Sequence, residues 1–209
     1  MPNWCNNHLT LTHEDPAMIK RAFDAIERCE LLHEFIPVPQ DLKDTVSGSY
    51  GDPAEQAKLE AQQASNIKKY GYATWYDFCV NEWGTKWDIG EQGNSEVHPD
   101  GKTLVTGFDS AWSPPIGAYE KLLGLGFGVK AFYYEPGMNF AGGWEDGVDD
   151  HHSLDGLNSK TVRASVGDEL DDIFAIGESM AEHEAENEEE EELTEWIKDG
   201  IEANKTSEA

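Results

Sequence analysis

At 209 residues the chain is long enough for one well-buried domain and an appendage, and its 38% hydrophobic and 11% aromatic content can build a core. The 42 Asp and Glu against 15 Lys and Arg leave a formal net charge of −27. That field repels phosphate backbones and anionic lipid surfaces and argues against direct nucleic-acid or membrane binding.

Three cysteines, Cys5, Cys29 and Cys79, lie far apart with no CxxC pair, which fits a reducing compartment better than a disulfide framework. The N-terminal stretch has neither a basic region nor an apolar run, and no segment is apolar enough for a bilayer span, so a cytoplasmic location is expected. In chain order, Asn7 to Thr12 alternates Leu9 and Leu11 with polar residues, the period of a half-buried strand. Asp15 and Pro16 then open a helix with Ile19, Ala22, Phe23 and Ile26 on one face, ending near Cys29. Leu31 to Val38, apolar and then broken by Pro37 and Pro39, predicts an edge strand or an extended connection. Residues 54 to 69, rich in Ala, Gln, Lys and Glu, predict a surface helix with a thin apolar stripe, inside an insertion at about 51–83.

Thr74 and Asp77 form a capping pattern for a short helix that Gly84 can end, after which Trp87 and Ile89 start a strand. Pro99, Asp100 and Gly101 mark a turn before the alternating strand Lys102 to Asp109. Ser113 is expected to cap a second helix opened by Pro114 and Pro115, with Ile116, Tyr119, Leu122 and Leu123 buried and Gly124 as its stop. Two strands follow, Val129 to Glu135 and Asn139 to Glu145. The order predicts an α+β fold, a ferredoxin-like split βαβ sandwich with helices on one face of an antiparallel sheet. That architecture implies no iron–sulfur cluster, and no cofactor is expected. The expected divisions are a domain over 1–147, a linker over 148–167 and an acidic helical arm over 168–209.

Four segments in order carry a resemblance: PNWCNNHLTLT, WYDFCVNEWGTKWD, FDSAWSPP and YYEPGMNFAGGW. They resemble the YubB-like ferredoxin-like domain proteins of bacteriophages and conjugative plasmids, over roughly residues 1 to 147. The resemblance implies the fold and an origin on mobile DNA, and supplies no activity or catalytic residue. The C-terminal region departs from the family pattern.

Residues 168–209 hold 17 Asp and Glu against 2 Lys, more than half of the net charge. Leu170, Ile173, Phe174, Gly177 and Met180 fall at helical spacing, as do Leu193, Ile197 and Ile201 beside Trp196. Between them, Glu182 to Glu192 is almost wholly acidic and predicts a solvated, mobile break between two amphipathic helices. Glu188, Glu189, Glu190, Glu191 and Glu192 with Leu193, Trp196, Ile197 and Ile201 are the candidate partner-binding surface.

Trp75, Tyr76, Trp83, Trp87, Trp112 and Trp144 either line a ligand cleft or pack in the core, and core is the commoner fate of such residues. Lys86, between Trp83 and Trp87, either faces an anionic ligand or pairs with one of many carboxylates. Asp146, Asp149, Asp150, His151 and His152 cluster along the chain, but adjacent histidines in a strand-to-loop region point apart, and no metal is expected. His8, His13 and His33 lie in unrelated segments with no nucleophile spaced to meet them. Gly124, Gly126 and Gly128 follow a helix instead of opening one, the wrong context for a phosphate loop.

The leading expectation is a non-enzymatic accessory protein of a phage or related element that binds a host protein by imitating nucleic-acid charge; a second copy through the C-terminal helices is a further possible partner. The alternatives are a small-molecule binder or enzyme using an aromatic cleft near Trp83, Trp87 and Trp144, with Asp109, Glu135 or Asp146 as acid–base groups, and a self-assembling structural protein.

Overall fold

The computed structural model describes residues 3–207; within the last helix, side chains beyond Glu190 are described for Leu193, Thr194, Trp196 and Ile197. The chain divides into two compact units, a body ending at Ser153 and a C-terminal unit from Leu154.

The body is an α+β structure on a six-stranded antiparallel sheet ordered β2-β3-β1-β4-β5-β6. β1 (Trp4–Thr12) lies centrally, and its alternation buries Cys5, Asn7, Leu9 and Leu11 on one face. β3 (Thr103–Ala111) and β4 (Gly128–Glu135) flank it, pairing Leu9 with Thr106 on one side and with Ala131 on the other. α1 (Pro16–Ile26) starts where Asp15 accepts a hydrogen bond from the Ala17 N–H, and it buries Ile19, Ala22, Ala25 and Ile26. α6 (Ile116–Gly124) contributes Ala118, Tyr119 and Leu122 to the same core.

Leu31–Phe35 is helical, α2, and not the expected extended segment. The cause lies far away in sequence: the Asp88 carboxylate accepts from Leu32 N at 2.9 Å and His33 N at 2.8 Å, capping a helix that has no local cap. α3 (Gln40–Lys43) follows Pro39. α4 (Pro53–Tyr70) runs from an Asp52 cap to Gly71 in the left-handed conformation and buries only Leu59 and Asn66, the thin stripe its composition predicts. Asn66 ties it down by donating to Thr45 Oγ1 at 2.8 Å and the Ala73 carbonyl at 3.1 Å.

The Thr74–Asp77 capping box opens α5 (Trp75–Phe78), which continues into a π-helical turn over Cys79–Trp83 before Gly84 ends it at φ 87°. The wider turn brings Trp83 under the helices, where its Nε1 donates to the Ile36 carbonyl at 3.0 Å. Gly117 is needed where α6 meets this turn, since a Cβ there would stand 2.9 Å from the Glu82 carbonyl oxygen. Ser113 does not cap α6: its hydroxyl donates to the Gly84 carbonyl at 2.7 Å, and Pro115 holds the N-cap position. β2 is Gln92–Val97, later than expected, so Trp87 and Ile89 precede the sheet.

β5 (Phe140–Glu145) carries Gly142 and Gly143 beneath two rings: Tyr133 crosses Gly142 on one face and Phe132 crosses Gly143 on the other. Segment 148–167, expected as a linker, contains β6 (Val148–Ser153) as the edge strand and α7 (Val162–Val166). In the C-terminal unit α8 (Asp168–Phe174) ends at Ala175, φ 50°, and α9 runs unbroken from Ile176 to Ser207. The acidic run is therefore helical and not a break between two helices. Among the described residues, no helix is long and apolar enough to cross a membrane.

Candidate functional site

The string Trp75 to Asp88 folds back on itself through α5 and the π-helical turn, and its side chains form one wall of an open cleft of about 440 Å³. Trp83, buried, forms the base with Cys79 and Val38, and Trp75, Trp87 and Lys86 rise around it. His33 of α2 and Lys43 of α3 also line it, joined by Cys29 and Glu30 from the turn between α1 and α2.

Lys86 has no carboxylate partner among the described residues. Its ammonium sits 4.4 Å from the Trp87 ring centroid, 5.1 Å from Trp112 and 5.7 Å from Tyr76. The rings continue outward: Trp87 stacks on Trp112 at 6.0 Å and 27°, and Trp4 lies 6.4 Å from Trp87. Trp4, Trp87 and Trp112 remain 40%, 39% and 38% exposed, so they form a platform and not a core. Trp112 is held at φ 67°, a conformation that costs a bulky residue about 1–2 kcal/mol.

His33 Nδ1 accepts from the Val38 N–H at 3.3 Å. Lys43 Nζ stands 3.0 Å from Nε2 of the same ring, the donor and acceptor roles following the tautomer. The cleft's carboxylates are already occupied: Glu30 pairs with Arg28 at 3.2 Å, and Asp88 accepts from Leu32, His33 and Ile89 N–H groups. Burial raises the Asp88 pKa above the ordinary aspartate value, against the lowering by those hydrogen bonds. The Cys79 thiol is pushed up to about 12, mainly by burial, which makes it a poor nucleophile.

Of the six candidate cleft residues, Trp75, Trp83, Lys86 and Trp87 come together in the cleft, and Trp112 joins through its stack on Trp87. Trp144 does not: on β5 it is 2% exposed and packs 5.7 Å from Tyr119 in the core. The candidate acid–base groups are also elsewhere. Asp109 accepts from Asn6 Nδ2 at 2.7 Å, Glu135 is buried accepting from Gly137 and Met138 N–H groups, and Asp146 accepts from Val129 N at 3.1 Å. Lys86 meets aromatic rings where a carboxylate was one expectation. Trp4, His33 and Lys43 were not among the candidate cleft residues.

The cluster near β6 makes separate contacts: Asp149 accepts from the Tyr133 hydroxyl at 2.7 Å, His151 stacks on Phe140 at 5.4 Å, and His152 Nε2 lies 3.4 Å from Asp150. Among the described residues, no three His, Cys, Asp or Glu side chains converge as a metal site.

In the C-terminal unit, Glu188, Glu189 and Glu190 are exposed on α9, and Leu193, Trp196 and Ile197 beside them are 56%, 73% and 46% exposed. The side chains of Glu191, Glu192 and Ile201 lie outside the described residues. Nearer its start the unit is pinned by charge. The Arg163 guanidinium donates to Asp168 at 2.8 Å, Asp171 at 2.9 Å and Asp172 at 2.7 Å. Asp171, buried, also accepts from Gly177 N. Ser159 donates through its N–H and its hydroxyl to Glu184, which holds that carboxyl below the usual glutamate value.

No family model and no curated protein matches the chain. One solved structure aligns. It is a protein api92 from Yersinia pseudotuberculosis, assigned to the family-model DUF1281, covering 73% of this chain and 98% of its own at 12% identity and a TM-score of 0.37. At that score the likeness carries no argument about function.

Proposed function

We propose that the chain is a non-enzymatic binding protein of a mobile genetic element, a ferredoxin-like body carrying an acidic helix that engages a basic, nucleic-acid-binding surface of a host protein in the cytoplasm. Two observations support the ferredoxin-like reading. The strand order β2-β3-β1-β4 has antiparallel neighbours throughout, and the chain passes from β1 to β2 and from β3 to β4 through helices, with β5 and β6 added beyond β4. The four sequence segments that resemble the YubB-like proteins support the mobile-element origin.

The observation that carries the binding reading is the continuity of α9. Eight glutamates occupy the eleven residues Glu182 to Glu192. On a helix rising ~1.5 Å per residue that is a charge every ~2 Å of axis, close to the ~1.7 Å of duplex DNA. Leu193, Trp196 and Ile197 stand exposed directly after this run, so an apolar anchor adjoins the charge. A second copy of the chain would bring two acidic runs together, so charge complementarity favours a basic partner over self-assembly.

The test is capture from host lysate followed by elution with duplex DNA. Proteins held through α9 are released by added DNA and by raising salt from about 50 mM to about 500 mM, and Glu→Gln at 188 to 192 weakens capture. Proteins that stay bound in excess DNA, or that the glutamine variant captures equally well, overturn the reading.

A further inference from the structure

The cleft of the body is a separate matter from α9, and the geometry points to a second binding site there. We propose that it takes a small planar aromatic anion, its ring stacked on Trp87 and its negative group held among Lys86, Lys43 and His33. Three independent features converge on this chemistry.

The first is unpaired positive charge. In a chain with 42 acidic residues, both lysines of the cleft lack a carboxylate partner among the described residues, one resting on rings and the other against a histidine. The cleft's own Glu30 and Asp88 are bonded to Arg28 and to three backbone N–H groups. The two lysines and two carboxylates of the lining balance, in contrast to the −27 of the whole chain, and the lysines are the pair without an ionic partner.

The second is the pair His33 and Lys43. Imidazole Nε2 and ammonium Nζ lie 3.0 Å apart, and the ammonium, with three N–H donors, keeps at least two for an anionic oxygen, a charge-assisted contact that a cationic ligand does not make.

The third is the aromatic platform. Trp87 is 39% exposed, with the Lys86 ammonium 4.4 Å over its ring and Trp112, at φ 67°, stacked on it at 6.0 Å, so a ligand ring takes the place over Trp87 that Lys86 leaves as its ammonium moves to the anionic group. A flat ring fits against such a surface by stacking, and the cleft's volume of about 440 Å³ lies within the ~300–1,000 Å³ usual for small-ligand sites. Nucleoside monophosphates and aromatic carboxylates share this chemistry; the phosphate offers more oxygens to three donors, and the two are separated by experiment.

The full-length chain is titrated by calorimetry with AMP, adenosine, inorganic phosphate and indole-3-acetate. AMP or indole-3-acetate binds saturably, whereas adenosine and inorganic phosphate, each lacking half of the recognition, bind at least about tenfold more weakly. AMP tighter than indole-3-acetate identifies a phosphate site, and the reverse order a carboxylate site. Lys86→Met, which keeps the stem over the rings, weakens binding by about tenfold, and Trp87→Ala by at least about fivefold. Lys20→Met, on the exposed face of α1 and paired with Asp24, leaves it unchanged. Binding holds or tightens as salt rises to about 150 mM, because salt screens the repulsion of the distant carboxylates more than the short contacts in the cleft. DNA-eluted capture through α9 weakens over the same range, so the two readings fail separately. Absence of saturable binding by AMP and indole-3-acetate overturns the proposal, as does binding indifferent to both Lys86→Met and Trp87→Ala.

Discussion

The body and the C-terminal unit bury different things. Up to Ser153 the chain closes around a continuous apolar cluster that includes Leu9, Leu11, Ile26, Leu104 and Trp144, most of it fully buried. From Leu154 onward the buried apolar side chains among the described residues are Leu154, Val162, Val166, Leu170 and Ile176, and much of the remaining definition comes from Arg163 with its three aspartates. One region rests on the hydrophobic effect, which salt leaves nearly untouched, and the other on partly exposed ion pairs, which salt weakens. The same composition that makes the second unit sensitive to its surroundings also makes it available to a charged partner.

The comparison breaks most visibly in the core. Trp144→Ala removes the indole that packs on Tyr119 and costs the body about 3–5 kcal/mol, read as a lower midpoint in urea. The loss is the same in low and high salt. A cost that shrinks with salt shows that charge and not packing governs the body.

Next in size is Asp171→Ala in the C-terminal unit. It removes a buried acceptor of both Arg163 and Gly177 N, at a cost of about 1–3 kcal/mol, and the cost diminishes as salt rises. Glu184 supplies the pH form of the test. Its folded pKa is lowered, first by the Ser159 N–H and then by the Ser159 hydroxyl, so its contribution is complete above the ordinary glutamate value of 4.5 and is lost as pH falls through the folded pKa. Glu184→Gln abolishes that part of the acid limb in the unfolding curve of the unit.

What the sequence discloses follows the same division of forces. Strands such as β1 and β3 are legible because alternation is local, α1 because Asp15 caps it from the adjacent position, and α4 because its Ala, Gln, Lys and Glu composition favours a helix. α2 is not legible, since its cap is Asp88, brought from across the fold. β6 is missed because VDDHHS is an exposed edge strand with no apolar alternation to announce it. In the cleft, Trp75, Trp83, Lys86 and Trp87 share one string and are visible together, whereas His33 and Lys43 arrive on other helices. Residue type alone groups Trp144 with them, but its position on β5 turns it into the core.

The smallest effect sharpens the comparison inside the C-terminal unit itself. Glu182–Glu186, Glu184–Glu188, Glu186–Glu190 and Glu188–Glu192 are like-charge pairs one turn apart in α9, each opposing the helix by about 0.2–0.5 kcal/mol at low salt. Replacing Glu188 to Glu192 with Gln raises helicity, measured by far-ultraviolet circular dichroism at about 10 mM salt, where the Debye length is ~30 Å. At about 1 M, where it is ~3 Å, wild type and variant coincide. Salt therefore loosens the Arg163 cluster while firming the acidic run, two responses of opposite sign in one unit. An Arg163→Met chain, which loses all three ion pairs, retains only the second response, so its helicity rises monotonically with salt; a fall with salt in that variant removes the ion-pair account of the first.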